Sequence, residues 1–216
     1  MYKSIKRLAT LLVLSGALLS AKADTVTPLF SSAGTTTNNS ISLGLPEAGA
    51  TENIVGNSAW AAPLAGSSWV SYTTSGSTGA GFFSPANGTA VTFSQTFSLS
   101  GPVTSAYLDV LADDTATVIL NGVTIYHANL GGSYPTCSSL PIGCLTPTEG
   151  LFNTAQLAPY LNDDGSNTLS FVVYQEAGSS FGLDYAGGVT VKTPEPGSLL
   201  LLGAAFAGLA LLKFRS

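Results

Sequence analysis

The sequence predicts an all-β fold, an antiparallel β-sandwich set between two terminal segments that do not belong to it. Three observations predict this. The stretch "AVTFSQTFSLSG" alternates with a strict period of two: Val91, Phe93, Phe97 and Leu99 on one face, Thr92, Ser94, Thr96 and Ser98 on the other. Asn121-Gly122 separates the β-branched runs "TATVIL" and "VTIY", and these two residues tolerate the positive φ that a two-residue hairpin turn demands. No segment of residues 24–89 carries the 3.6-residue period of an amphipathic helix.

Taken in order, residues 24–89 are rich in Gly, Ser, Thr, Asn and Ala, with short apolar runs such as "ISLGL" and "SSWVSY", which predicts short strands joined by loops. The alternating strand at residues 90–100 follows. In "AYLDVLA", Ala106, Leu108, Val110 and Ala112 alternate against Tyr107, Asp109 and Leu111, and Asp113-Asp114 supplies a turn before the hairpin. Residues 131–150 read as a long surface loop holding Cys137 and Cys144. A disulfide between them fits an exported chain and closes a short loop, worth roughly 2.5 kcal/mol through the unfolded state. A zinc site would need four ligands, and His127 is the sole histidine. "AQLAPYL" predicts a single helical turn, "DDGSN" a turn, "TLSFVVYQ" another alternating strand, and "SFGLDYAGGVTVKT" the last strand or pair. The total is eight to ten strands, the pattern of an antiparallel sandwich.

Within this span, "FSLSGPVTSAYLDVLADDTATVILNGVTIY" resembles the middle of galactose-binding-like jelly-roll domains, where a similar strand and turn precede an "LNG" hairpin. The resemblance covers residues 50–192 and implies the jelly-roll sandwich. It leaves function open, because that fold hosts sugar binders and purely structural modules alike.

The two ends predict where the chain goes. Residues 1–23 combine Lys3, Lys6 and Arg7 with an apolar run at residues 8–19 and the small-x-small ending Ala21-Lys22-Ala23. That is a secretory signal peptide; a run of about 12 apolar residues is too short to span a bilayer. Residues 24–192 form the sandwich domain. Residues 193–216 carry Pro194, Glu195 and Pro196, then an apolar run at residues 199–212, then Lys213 and Arg215. These three parts, in that order, resemble the PEP-CTERM sorting signal. The resemblance implies a hydrophobic C-terminal helix that enters the membrane at least transiently. It also implies two processing partners, signal peptidase and an exosortase-type protease, with cleavage near Pro194 to Pro196 and release to the cell surface or matrix. The run is also short physically, about 22 Å as a helix against a hydrocarbon core of about 30 Å. A retained single-pass anchor is the alternative.

Charge narrows the partners. Residues 24–191 contain no Lys or Arg, and eleven carboxylates against Lys192 leave residues 24–192 near −10. Nucleic acid is thereby excluded as a partner, since phosphate contacts need clustered cations. No catalytic residues are predicted: His127 lacks any accompanying nucleophile motif. A glycoside hydrolase needs only two carboxylates at a defined separation, which eleven supply without specificity. Candidate ligands for a structural calcium ion are Asp113, Asp114, Asp163 and Asp164, all in predicted turns. Candidate sugar platforms are Trp60, Trp69 and Tyr134, with Tyr72 and Tyr126 also available. The expectation is an exported, non-catalytic protein with a structural or adhesive role at the surface or in the matrix. The alternative is a carbohydrate-binding module for exopolysaccharide, followed by a secreted hydrolase.

Overall fold

A computed structural model describes residues 24–39, 49–72, 85–128, 130, 141–145, 151–176 and 180–193. The expected signal peptide at residues 1–23, the motif Pro194, Glu195 and Pro196, and both Tyr134 and Cys137 lie outside the described residues. Val26–Val191 makes one compact unit.

The longest pairing explains why the fold forms. Strand β6 (Ala90–Ser100) and strand β11 (Asp164–Tyr174) run antiparallel over their full lengths, from Asp164 opposite Ser100 to Tyr174 opposite Ala90. The alternation of β6 turns Val91, Phe93, Phe97 and Leu99 inward, all buried, and leaves the hydroxyls outside, where Ser94 and Ser170 bond each other across the strands at 2.8 Å. Strands β8 (Thr115–Leu120) and β9 (Val123–Tyr126) extend this sheet on one side; β2 (Thr37–Asn38) and β3 (Gly49–Ala50) extend it on the other. The second sheet is ordered β10 (Phe152–Asn153), β7 (Val103–Asp113), β12 (Gly182–Val191), β5 (Val70–Ser71) and β4 (Glu52–Asn53), with β1 (Thr25–Phe30) also paired to β12.

Inward-facing side chains of the two sheets share one apolar core, so the fold is the antiparallel β-sandwich expected. Phe171 of β11 lies 4.5 Å, centroid to centroid, from Tyr185 of β12, and Phe93 of β6 lies 6.2 Å from Phe181. Each such ring contributes about 1.5–3 kcal/mol by leaving water. The buried phenol of Tyr185 is bonded to Thr36 Oγ1 at 2.9 Å and Gln95 Oε1 at 3.2 Å, so its polar end is matched inside the core.

The Asn121-Gly122 hairpin forms as expected: φ is 51° at Asn121 and 80° at Gly122, joining β8 to β9. Its position is fixed by side-chain chemistry. Asn121 Nδ2 donates to the Tyr160 carbonyl at 2.7 Å and to Asn167 Oδ1 at 2.8 Å, and Asn121 Oδ1 accepts from Thr168 N–H at 2.8 Å. The single helical turn is also present as helix α1 (Thr154–Leu157), with Asn153 and Gln156 forming a capping box, followed by a 3-10 turn at Ala158–Tyr160.

Three expectations are corrected. The described residues hold twelve strands rather than eight to ten. Five of them are two residues long, too short to show any period. The segment "DDGSN" is not all turn: Asp164 to Asn167 belong to β11, because pairing with β6 outweighs their local turn preference. Only Asp163 stays at the bend, accepting from Val103 N–H at 3.2 Å. The Cys144 segment is not a surface loop either. Ile142 and Cys144 are buried, and the Gly143 carbonyl accepts from Ala112 N–H at 3.1 Å.

Candidate functional site

The outer face of β7 and β12 is covered at one end and open at the other, and the polar chemistry collects at the covered end. There Leu111 of β7, Trp60, Trp69 and Cys144 form a second apolar cluster, separate from the main core. Cys144 is disulfide-bonded, and Cys137 is the only other cysteine in the chain. The segment carrying Trp60 is tied down by Ala61 N–H on the Cys144 carbonyl at 2.7 Å, and Trp69 Nε1–H donates to the Ala61 carbonyl at 3.1 Å.

Two buried carboxyls follow Leu111 at the end of β7. Asp113 and Asp114 sit at the corner where the chain leaves one sheet and enters β8 in the other, and the peptide between them is cis. Trp60 Nε1–H donates to Asp113 Oδ2 at 2.9 Å; Glu176 N–H donates to Asp114 Oδ2 at 2.7 Å. Burial first, then hydrogen bonding with the Asp114 carboxylate and its charge, push the Asp113 carboxyl up to about 8, against a smaller downward pull from the Trp60 indole.

A third carboxylate, Asp184 of β12, is 0% exposed and fastens another loop to the same face. Its Oδ1 accepts from Ser31 Oγ at 2.8 Å and Ser67 Oγ at 2.5 Å, and its Oδ2 accepts from Leu64 N–H at 2.8 Å. Burial raises its pKa, although the Ser67, Leu64 and Ser31 bonds each pull it down.

The calcium candidates do not converge. Asp163 borders the start of β7, while Asp113 and Asp114 lie at its other end. At a strand rise of about 3.3 Å per residue the two pairs stand about 33 Å apart. Among the described residues, no three His, Cys, Asp or Glu side chains group as a metal site.

The platform candidates are also corrected. Trp60 is 8% and Trp69 1% exposed, and their rings lie 4.3 Å apart, each covering the other. Gly56 and Gly182 let them seat so closely: a Cβ on Gly182 would come within 3.0 Å of Trp60. Tyr72 is buried as well, and Tyr126 is half-buried against Phe152 at 6.2 Å. His127 is exposed at the end of β9. The aromatic side chain that the open end does present is Tyr107, 52% exposed, with its ring against Gly188 of β12. Alternation already assigned Tyr107 and Asp109 to the outer face of β7; an aromatic among polar outward positions is the signal that marks it.

The fold and this site define a class: an acidic β-sandwich whose outer loops are held by buried carboxyls. The tail says where it belongs. Residues 192–216 match the PEP-CTERM protein-sorting motif, so the chain is marked for export, with a membrane-held intermediate and then surface localisation. No curated protein matches the chain. Among solved structures, the native structure of a family 35 carbohydrate binding module from Clostridium thermocellum is similar at a TM-score of 0.34 and 11% identity. The match covers 75% of this chain and 97% of that one. Among the described residues no helix is long and apolar enough to cross a membrane.

Proposed function

We propose that this chain is a non-catalytic surface or extracellular-matrix protein with a structural or adhesive role. It is held in the inner membrane by its tail and released near Pro194 to Pro196 by an exosortase-type protease. The observation that carries this reading is the sorting motif at residues 192–216. The N-terminal basic and apolar segment supports it, as does a domain without a single Lys or Arg in residues 24–191, which suits an extended life in water and no anionic partner. The test is the intact mass of the protein recovered from the surface of a host that makes an exosortase. A chain lacking residues 197–216 is expected. Recovery of the full tail mass, confined to the inner membrane, would overturn the sorting step.

Binding to exopolysaccharide is a second reading, favoured by one place on the sandwich. Tyr107 and Asp109 stand on the same outer face of β7, and Asp109 Oδ1 is oriented by Leu151 N–H at 3.1 Å. A ring with a neighbouring carboxylate suits the apolar face and hydroxyls of a neutral sugar. Tyr107→Ala is expected to weaken retention on a neutral host polysaccharide by tenfold or more in affinity electrophoresis. Equal retention of both proteins removes Tyr107 from that role.

A further inference from the structure

The chain holds two Asn-x-Ser/Thr triplets, Asn38-Asn39-Ser40 and Asn87-Gly88-Thr89. In an exported protein each is a formal acceptor for an N-linked glycan. The fold treats them oppositely. Asn38 lies in β2 between β3 and β6, is 8% exposed, and its amide donates to the Ala50 carbonyl. Asn87 is exposed in the turn before β6. Neither its amide group nor the Thr89 hydroxyl makes a hydrogen bond among the described residues. We propose that Asn87 is an N-glycosylation site of the exported domain, receiving an oligosaccharide from a lipid-diphosphate carrier, and that Asn38 is not. This rests on export, which the sorting motif marks.

The turn presents the triplet by its backbone alone. Thr89 N–H donates to the Ala86 carbonyl at 2.9 Å, and Gly88 has a φ of 81°, as a type II turn needs at its third residue. Asn87 is the second residue, at the outside of the bend. Gly88 N–H donates to the Gln175 carbonyl at 2.7 Å, and Gln175 N–H to the Thr89 carbonyl at 2.9 Å, so the turn is fastened to the chain that follows β11. These bonds use main-chain groups and leave the two side chains to an enzyme that recognises an amide and a hydroxyl two residues apart. In the transfer a bond forms between Asn87 Nδ2 and the anomeric carbon of the sugar. The bond from that carbon to the carrier diphosphate breaks, the diphosphate leaves with the electron pair, and the amide nitrogen gives up one proton. Nothing is oxidised or reduced. The position also suits a chain still held by its tail. Asp114 N–H donates to the carbonyl of Tyr174, the last residue of β11, so Asn87 shares the end of the sandwich where β7 finishes. Strand β12 ends at the opposite side, its Val191 paired with Val103 at the start of β7. The length of β7 puts about 33 Å between the two ends, so a glycan on Asn87 leaves the exit of β12 uncovered.

The test begins with protein recovered from the surface of its own host and digested with chymotrypsin, because residues 24–191 offer trypsin no Lys or Arg. Electron-transfer fragmentation is expected to place a hexose- or N-acetylhexosamine-containing mass on Asn87 and none on Asn38. In a second arm the folded full chain, in mild detergent, meets a purified oligosaccharyltransferase and a lipid-diphosphate-linked oligosaccharide. Asn87 is expected to be modified there too, while Asn38 stays bare. Asn87→Gln and Thr89→Val lose the product, whereas Thr89→Ser keeps it. All three are expected to keep the wild-type urea midpoint, because the side chains they replace make no bond within the fold. A bare Asn87 in either arm overturns the proposal, as does a glycan that survives in Thr89→Val or one carried by Asn38 as well. The same spectra read the tail. A glycan on a chain that still ends at Ser216 would keep this site and remove the sorting step; a bare Asn87 on a chain lacking residues 197–216 would do the reverse.

Discussion

Replacing Asp184 by alanine is expected to destabilise the domain by about 3 kcal/mol, read as a fall in the urea midpoint at unchanged slope. The size follows from what each donor can do afterwards. Ser31 Oγ also lies 2.7 Å from the Ser68 carbonyl and Ser67 Oγ 3.0 Å from the Leu64 carbonyl, so both hydroxyls can turn to another acceptor. Leu64 N–H, which donates to Asp184 Oδ2, is left part-buried beside a cavity. Asp184→Asn separates charge from shape. Its amide oxygen can face Leu64 while its NH2 donates to serine oxygens, so a cost under about 1 kcal/mol is expected. The pH dependence settles the sign. The folded carboxyl has a raised pKa, so the folded state binds more protons than the unfolded one between the ordinary carboxylate value of about 4 and the raised value. Stability from this group is full in acid and is lost as pH rises through that window. The asparagine variant lacks this loss, keeping only the part due to Asp113. A midpoint for Asp184→Ala within about 0.5 kcal/mol of wild type would show that the loop does not depend on this carboxylate.

Asp184 also shows what could and could not be read in advance. As one of eleven acids it was indistinguishable from solvated turn residues; its setting in "GLDYAGGV", between bulky neighbours on an alternating strand, was the available sign. Long strands were legible because β6, β7 and β11 have enough residues for a period of two to register, and Asn121-Gly122 because the turn itself selects those residues. The short strands β2 to β5 were not, since two residues carry no period. The role of Trp60 and Trp69 was not legible for a different reason: composition cannot say whether a ring meets a ligand or another ring, and here each meets the other. The sorting tail was the most legible part, because its parts are read linearly by membrane and protease rather than through tertiary contacts.

The absence of cations in residues 24–191 explains how the buried acids are satisfied. A domain with no Lys or Arg there cannot neutralise a carboxylate by pairing. Five of the acids are matched instead by N–H or O–H groups: an indole at Asp113, backbone N–H at Asp109, Asp114 and Asp163, two serines and a backbone N–H at Asp184. Such bonds fix geometry without cancelling charge, so the most buried acids drift upward in pKa and become sensitive to pH. Fastening of the outer loops and proton dependence are two consequences of one composition.

The adjacent glycines of β12 are expected to respond to alanine in opposite ways. Gly187 stands opposite Leu108 on the core side of the ladder, and a Cβ there would lie 2.4 Å from the Tyr107 carbonyl oxygen and 3.1 Å from the Leu108 Cα. Those are backbone atoms of β7, so the strands must move apart along the longest ladder of this sheet. Gly187→Ala is therefore expected to cost about 3 kcal/mol or more. Gly188 stands opposite Tyr107 on the outer side, where a Cβ would meet Tyr107 Cε1 at 3.3 Å, then Val26 Cγ1 at 3.6 Å. An exposed ring can pivot by a few tenths of an ångström, and alanine restricts the unfolded chain, a gain of about 0.4–1 kcal/mol. Gly188→Ala is thus expected to lie within about 0.5 kcal/mol of wild type. Chemical denaturation of both variants checks the pair. A gap of at least about 2 kcal/mol places the constraint in the backbone approach of β7 to β12; equal midpoints would mean that the ladder yields at Gly187 as easily as a side chain does at Gly188.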